Sequence, residues 1–375
     1  MSTLTGTAPR KRKDGPVRFP ISVLTGFLGA GKTTVLNHLM QQPEFGRTLV
    51  IVNEFGEIAL DHDLVIPVSD DVMIAMSSGC LCCTIRGDLA KTLREAPWRF
   101  ARDGKPWFDR VVIETTGLAD PAPILHTLMS EPAVTKRYRL DGVITMVDAA
   151  NGMATLDRQV EAVKQAAVAD RIVVTKGDLV DQHTLDQLQE RLRALNPAAA
   201  QVRAQHGVVA PSALDGAGLY DPLTKSIDVQ NWLKEEAYAE PHDHGHHHGD
   251  AHDYDHHHHD HHHDVNRHDT DIHAVCLTID EPVGRDGLER WFQELLALGG
   301  ADLLRMKAMI NVKGAPGPIV VHGVQHIIHP IETLDTWPSD DRRSRIVFIT
   351  RNIEKAKLQA TLRVFSEENA YDADG

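Results

Sequence analysis

Cysteine is scarce in this chain: only four of 375 residues, and three of those, Cys80, Cys82 and Cys83, stand within four positions. So few thiols, placed so close together, cannot form an ordinary disulfide framework, which points to a reducing compartment and makes the cytoplasm the expected location. Long apolar runs are also missing. No stretch approaches the roughly 20 residues of a membrane span, and the basic run Arg10 to Lys13 has no apolar segment behind it, so it does not read as a signal peptide. Positive charge is in deficit as well: the net charge is -14. That balance excludes electrostatic attraction to nucleic acid or an anionic membrane and leaves metal cations and other proteins as partners. What remains, 42% hydrophobic and 25% charged, is an ordinary globular composition. The length exceeds one hydrophobic core, so about two domains are expected.

Apolar runs bounded by turn residues alternate with helical patterns between residues 17 and 240, the signature of a parallel sheet with crossover helices. Strands are expected at 18–25, 48–53, 110–114, 142–148, 171–175 and 201–209, and helical periodicity is clearest at 32–41, 157–169 and 184–195. Each strand ends where chemically unusual residues begin, and open parallel sheets bind ligands at the carboxyl ends of their strands. Residues 1–16 read as a disordered basic tail. Residues 241–270 change abruptly to histidine and aspartate, with triplets at 246–248 and 261–263, and cannot bury a core; they read as a disordered linker. Beyond it, 271–375 reads as a smaller α+β domain, with an alternating strand at 272–279, a helix over 288–298, apolar stretches at 303–312, 319–328 and 345–350, and a closing helix over 353–365.

Gly26-Phe27-Leu28-Gly29-Ala30-Gly31-Lys32-Thr33 fits G-x-x-x-x-G-K-[ST] between an expected strand and an expected helix. Gly26, Gly29, Ala30 and Gly31 let backbone N–H groups wrap phosphates at a helix N-terminus, Lys32 reaches the β- and γ-phosphates, and the Thr33 hydroxyl ligates Mg²⁺, with Thr34 next in the helix. The fold class that follows is α/β, a P-loop NTPase sheet flanked by helices.

A phosphate loop does not choose the base. Thr175-Lys176-Gly177-Asp178 follows a strand and is similar to the guanine-reading N-K-x-D, with threonine for asparagine. The Asp178 carboxylate can accept from both the ring N–H and the exocyclic amine of guanine, which adenine does not match. Ser212 and Ala213, after the next strand, are candidates to complete the base pocket. Glu114-Thr115-Thr116-Gly117 stands where a Mg²⁺-binding acid and a γ-phosphate-sensing glycine are expected, with glutamate in place of the usual aspartate. No glutamine follows Gly117; position 118 is leucine, so slow turnover is expected. Lys32 and Glu114 are the candidate catalytic residues.

Three thiolates packed as Cys80-Leu81-Cys82-Cys83 are soft ligands suited to zinc or cuprous copper. Glu54 and Glu57, around Gly56, are candidates for the Mg²⁺ or for the thiolate site. The fourth ligand is open: Glu57, His62, a linker histidine or a water. Cys276, inside an alternating strand, reads as a core thiol. The histidine tract reads as a weak multisite metal reservoir.

In this order the phosphate loop, Asn53-Glu54-Phe55-Gly56, Gly79-Cys80-Leu81-Cys82-Cys83-Thr84, Glu114-Thr115-Thr116-Gly117 and Thr175-Lys176-Gly177-Asp178 closely resemble the CobW family of P-loop GTPases, relatives of UreG and HypB. The resemblance extends over nearly the whole chain, because a histidine-rich linker and a small C-terminal domain belong to that family. It implies a GTP-dependent metallochaperone or insertase: GTP and Mg²⁺ as cofactors, zinc as the metal or else Co²⁺ or Ni²⁺, and a client metalloprotein that receives it. Cobalt delivery for cobalamin synthesis and a GTP-regulated, permanently zinc-bound sensor or scaffold are the alternatives. Arg305-Met306-Lys307-Ala308 resembles an arginine-x-lysine-glycine segment of the family's C-terminal domain, with alanine in the last place.

Overall fold

The structure, a computed structural model, describes residues 18–55, 73–78, 83–213, 272–328, 332–337 and 340–365. The tail expected at 1–16 and the linker expected at 241–270 lie outside them.

Along the first part of the chain run β1 (Phe19–Gly26), α1 (Lys32–Met40), β2 (Thr48–Phe55), β3 (Met73–Ser78), α2 (Cys83–Arg99), the short pair β4 (Ala101–Arg102) and β5 (Lys105–Pro106), and β6 (Arg110–Thr115). They continue as α3 (Ala122–Ser130), α4 (Pro132–Thr135), β7 (Tyr138–Asp148), α5 (Gly152–Arg158), α6 (Val160–Ala167), β8 (Arg171–Thr175), α7 (Gln182–Leu195) and β9 (Ala200–Arg203). Seven of the strands form one sheet in the order β3-β2-β6-β1-β7-β8-β9, every pairing parallel. Both faces are covered, which is why β7 and β8 are buried along nearly their whole length rather than at alternate residues. Leu89 and Leu93 of α2 and Leu125 and Leu128 of α3 pack on Ile21, Val23 and Ile51 at one face. Leu36 and Leu39 of α1 pack on Leu24, Val112 and Ile144 at the other.

Three elements differ from the sequence reading. The stretch between the second strand and the cysteines holds a further strand, β3, six residues long and in register with β2 from Val50↔Met73 to Phe55↔Ser78. The helix expected over 157–169 is two helices, because Gln159 takes an extended conformation (φ -122°, ψ 105°) that starts α6 afresh. The strand expected over 201–209 stops at Arg203, since His206 (φ 52°) and Gly207 (φ 80°) turn the chain back on itself.

The second part comprises β10 (Ile272–Ile279), α8 (Arg285–Gly299), β11 (Leu303–Ile310), β12 (Ile319–Val324), β13 (Ile327–Ile328), β14 (Glu332–Thr333), β15 (Ser344–Arg351) and α9 (Lys355–Thr361). Its antiparallel sheet is ordered β10-β15-β11-β12-β13, with β14 on β12. α8 buries Leu288, Trp291 and Leu295 against it, and the Trp291 indole donates to the Thr361 hydroxyl at 2.9 Å. Cys276 is a core thiol, as expected, among Met309, Val320 and Val347.

The Arg305-Met306-Lys307 segment acquires a position. Arg305 donates to the Val168 carbonyl and pairs with Asp170, and Lys307 reaches the same carboxylate at 2.6 Å, all three side chains being buried. Burial alone would push the Asp170 carboxyl up; the Arg305 and Lys307 charges and the hydrogen bonds from Lys307 and the Val143 N–H outweigh it and hold it at about 2. Breaking such a buried set from one side costs about 3–5 kcal/mol.

Candidate nucleotide site and the cysteine segment

β1 ends in a loop whose geometry depends on Gly26. Its φ of 139° is in a region L side chains rarely adopt, and a Cβ there would lie 2.4 Å from the Met146 carbonyl oxygen. α1 then starts from Gly31 in the left-handed conformation, with no side chain capping its first turn and no acid within it. Its N–H groups are therefore available to an anion, with the helix dipole adding to the attraction. The Lys32 ammonium lies across the loop, donating to the carbonyls of Gly26 at 2.9 Å and Phe27 at 3.3 Å, where phosphate oxygens can displace them. Gly29 and Ala30 form the crown of the loop, Ala30 buried and Gly29 exposed, while the Thr34 methyl lies against the turn at Gly207.

From the end of β6, the buried Glu114 carboxylate meets the Thr33 hydroxyl at 2.9 Å. A threonine hydroxyl and a carboxylate converging at the N-terminus of a phosphate-binding helix are hard oxygen donors of the kind Mg²⁺ takes alongside nucleotide phosphates, so the residues present fit that ion. Thr115 ties the end of β6 to β1 through a hydroxyl bond to Thr25 at 2.8 Å. Gly117 follows, and a Cβ there would lie 2.6 Å from the Leu28 backbone nitrogen, so only glycine lets this turn close on the phosphate loop. Leu118, where a glutamine would serve hydrolysis, is exposed.

The base-side residues gather at the ends of β7 and β8. Thr175 is buried and donates its hydroxyl to the Ala30 carbonyl at 2.8 Å. Lys176, in the left-handed conformation (φ 56°), reaches Asp148 at 2.8 Å. Burial works against the Asp148 charge, but the bonds from Lys176, Asn151 and the Ala150 N–H prevail and hold its carboxyl below the usual range. Asp178 sits on the next turn about one-third exposed, 3.4 Å from the His206 ring, with its carboxylate accessible to a ligand. Ser212 is held by Arg171, which donates to its carbonyl, and Ala213 is buried beside it.

The cysteine segment divides. Cys83 begins α2, while Cys80 and Cys82, like Glu57 and His62, lie outside the described residues. Glu54 lies in β2, opposite Ser77 of β3. In sequence the segment follows Ser78, which ends β3 at the carboxyl edge of the sheet, the same edge at which β1 and β6 present the phosphate loop and Glu114. β3 stands three strand spacings from β1, about 14 Å. Among the described residues no three histidine, cysteine or acidic side chains form a metal-sized cluster.

Two residues of this site have no role assigned from the sequence. Asp148 stands there only as the acid at which a strand ends, and its pairing with Lys176, itself expected at the base, is not assignable from it. Gln165 is fully buried on α6 and donates to the carbonyls of Gly117 at 3.2 Å and Ala119 at 3.0 Å. Its trace in the sequence was a polar residue on the apolar stripe Ala162, Ala166 and Ala169.

A parallel sheet with a phosphate loop after β1 and an acid at the carboxyl end of β6 defines a P-loop nucleotide-binding protein. The chain belongs to the CobW family: residues 20–203 match the CobW/HypB/UreG nucleotide-binding domain and residues 272–366 the cobalamin synthesis protein CobW C-terminal domain. It is 29% identical over 340 residues to the zinc chaperone YjiA of Escherichia coli, covering 91% of this chain and 96% of that one. It is 27% identical over 374 residues to the zinc chaperone CobW of a Sinorhizobium species, covering 92% and 96%. The crystal structure of a Zn(II)-bound triple mutant of the YjiA GTPase superposes with a TM-score of 0.64 at 28% identity, over 93% of this chain and 99% of that one. No described helix is long and apolar enough to cross a membrane.

Proposed function

We propose that this protein is a slow, GTP-dependent metal chaperone that carries a divalent transition metal, zinc in the first instance, on Cys80, Cys82 and Cys83 and releases it to a client metalloprotein after hydrolysis. The observation that carries the reading is the shared edge of one parallel sheet. The phosphate loop follows β1, Glu114 ends β6 with Gly117 just beyond it, and the cysteine segment comes next in sequence after β3. Two sites on one rigid sheet can bias a common element between them, which is what coupling of metal affinity to nucleotide state requires. The names of the relatives, zinc chaperones and a Zn(II)-bound GTPase, support the same reading.

In this account GTP is held by Gly26, Gly29, Ala30, Gly31, Lys32, Thr33 and Thr34 at its phosphates. Asp178 reads guanine, Ser212 and Ala213 close the base pocket, and Thr175 and Lys176 hold that pocket against the phosphate loop and Asp148. Thr33 and Glu114 would hold Mg²⁺, which neutralises charge on the phosphates. Lys32 leaves the carbonyls of Gly26 and Phe27 for the phosphate oxygens and stabilises the negative charge they carry in the transition state. Glu54 is a further oxygen ligand at the end of β2. The metal ion is cargo. It stays on soft thiolates while the γ-phosphate orders the neighbouring strand ends, and relaxation after hydrolysis opens a three-thiolate site to exchange. A reducing cytoplasm keeps the thiols available.

The test is to load the full-length protein with one Zn²⁺, add Mg-GTP, and follow both phosphate release and transfer of zinc to a chromogenic chelator. Zinc transfer that tracks GTP hydrolysis, and that fails with a non-hydrolysable analogue, is expected. Equal transfer with and without hydrolysis would reject the carrier cycle in favour of permanently bound zinc.

A further inference from the structure

The turn that follows Glu114 is suspended between two helices, and the C-terminal sheet holds both. On one side, α6 grips the turn: Gln165 donates to the Gly117 and Ala119 carbonyls, and the Lys164 ammonium reaches Asp120 at 3.1 Å. Just past its C-terminal end the same short helix is clasped by the second domain, through Arg305 on the Val168 carbonyl and Arg305 and Lys307 on Asp170. Ala167 also packs on Leu304 and Ile349. On the far side, the turn leads into α3, whose buried His126 ring bonds the Val324 carbonyl at 3.0 Å and meets the His326 ring edge-on at 4.7 Å. From Gln165 to Val168 is less than one helical turn, about 4.5 Å of rise, so a shift imposed at the clasp reaches the turn almost undiminished.

We propose that Gln165 is a positioning residue for the γ-phosphate-sensing turn, and that the C-terminal domain sets the preference for GTP over GDP through Gln165 and α6. The inference rests on the reading of Gly117 as the γ-phosphate sensor. In this structure Gly117 is already closed on Leu28, and the Gln165 amide holds it there. A turn ordered before binding spares GTP the entropy of ordering it, whereas GDP, lacking the γ-phosphate, gains nothing from that order. Gln165 lies on a helix behind the turn, where it acts on the backbone of Gly117 and Ala119.

The experiment compares affinities of Mg-bound non-hydrolysable GTP analogue and Mg-GDP for the full-length protein and for Q165L, R305M, the double variant Q165L/R305M, and G117A. General loss of structure lowers both affinities together, so the ratio of the two is the readout. Q165L and R305M are each expected to lower the analogue-to-GDP affinity ratio by about five-fold or more, and the double variant by no more than the larger single effect. A ratio that Q165L leaves unchanged while G117A abolishes it would overturn the role of Gln165 and leave the sensor reading standing. A preserved ratio in G117A would instead sink the sensor reading itself. Effects of Q165L and R305M that simply add, or no effect of R305M, would overturn the link to the C-terminal domain. Should Q165L or R305M fail to fold, Q165N, one methylene too short to reach Gly117, and R305K, which keeps the charge and loses the fork, put the same question.

Discussion

Thr175 donates its hydroxyl to the Ala30 carbonyl across 2.8 Å of solvent-free interior, so the strand leading to the base-reading turn is tied to the crown of the phosphate loop. This side chain therefore braces the phosphate loop. Replacing it by valine keeps the shape and leaves the Ala30 carbonyl without its donor, at a cost of about 1–3 kcal/mol. T175V is expected to weaken GTP and GDP alike, by about ten-fold, which paired titrations check.

Asp178 is the residue proposed to carry base choice. D178N replaces an acceptor pair by one donor and one acceptor, which mismatches guanine and suits the 2-oxo group of xanthine. Affinity for GTP should fall by a factor of ten or more, and affinity for xanthosine triphosphate should rise, as expected when a buried polar match is exchanged for another. Competition between the two nucleotides measures it directly. Unchanged GTP affinity in D178N would remove Asp178 from the base pocket.

Glu114 sits against Thr33 at the position proposed for Mg²⁺. E114Q preserves volume and removes the charge. Turnover is expected to drop about 100-fold and the Mg²⁺ concentration needed for half-maximal turnover to rise, both read from phosphate release at varied Mg²⁺.

The clasp between the domains has a pH signature. Asp170 titrates at about 2 in the folded protein, below the roughly 3.9 of an unfolded aspartate. A depressed carboxyl contributes stability that is fully present above pH 4 and is lost as the pH falls from there through 2. Chemical denaturation across that window should show the loss in the native protein. In D170N, destabilised throughout by about 3–5 kcal/mol because Arg305 and Lys307 are left buried without their anion, the slope should be shallower. Identical slopes would mean that the clasp does not stay charged.

The parts of the site that obey local rules were legible in the sequence. A phosphate loop needs glycines and a strand–loop–helix frame, and residues 26–33 carry them in order. The strand at 171–175 and the C-terminal alternation at 272–279 appear where the pattern put them. What stayed hidden depends on distant partners. β3 is a six-residue run whose only evidence is its pairing with β2. Gln165 is one buried amide whose acceptors lie 46 and 48 positions away. The Asp170 clasp joins residues 135 positions apart, and Arg305-Met306-Lys307 gained a role only when the two sheets were seen together. The break at Gln159 was masked by apolar periodicity on both sides of it.

The most direct test of the central claim is a titration of Zn²⁺ into the full-length protein and into its C80S/C82S/C83S variant, each with Mg-bound GTP analogue, Mg-GDP or no nucleotide. The account predicts one tight site in the native protein whose affinity is about five-fold or more higher with the analogue than with GDP, and the loss of that site, with the nucleotide dependence, in the variant. The same zinc affinity in all three nucleotide states, or a tight site that survives removal of the three cysteines, would contradict it.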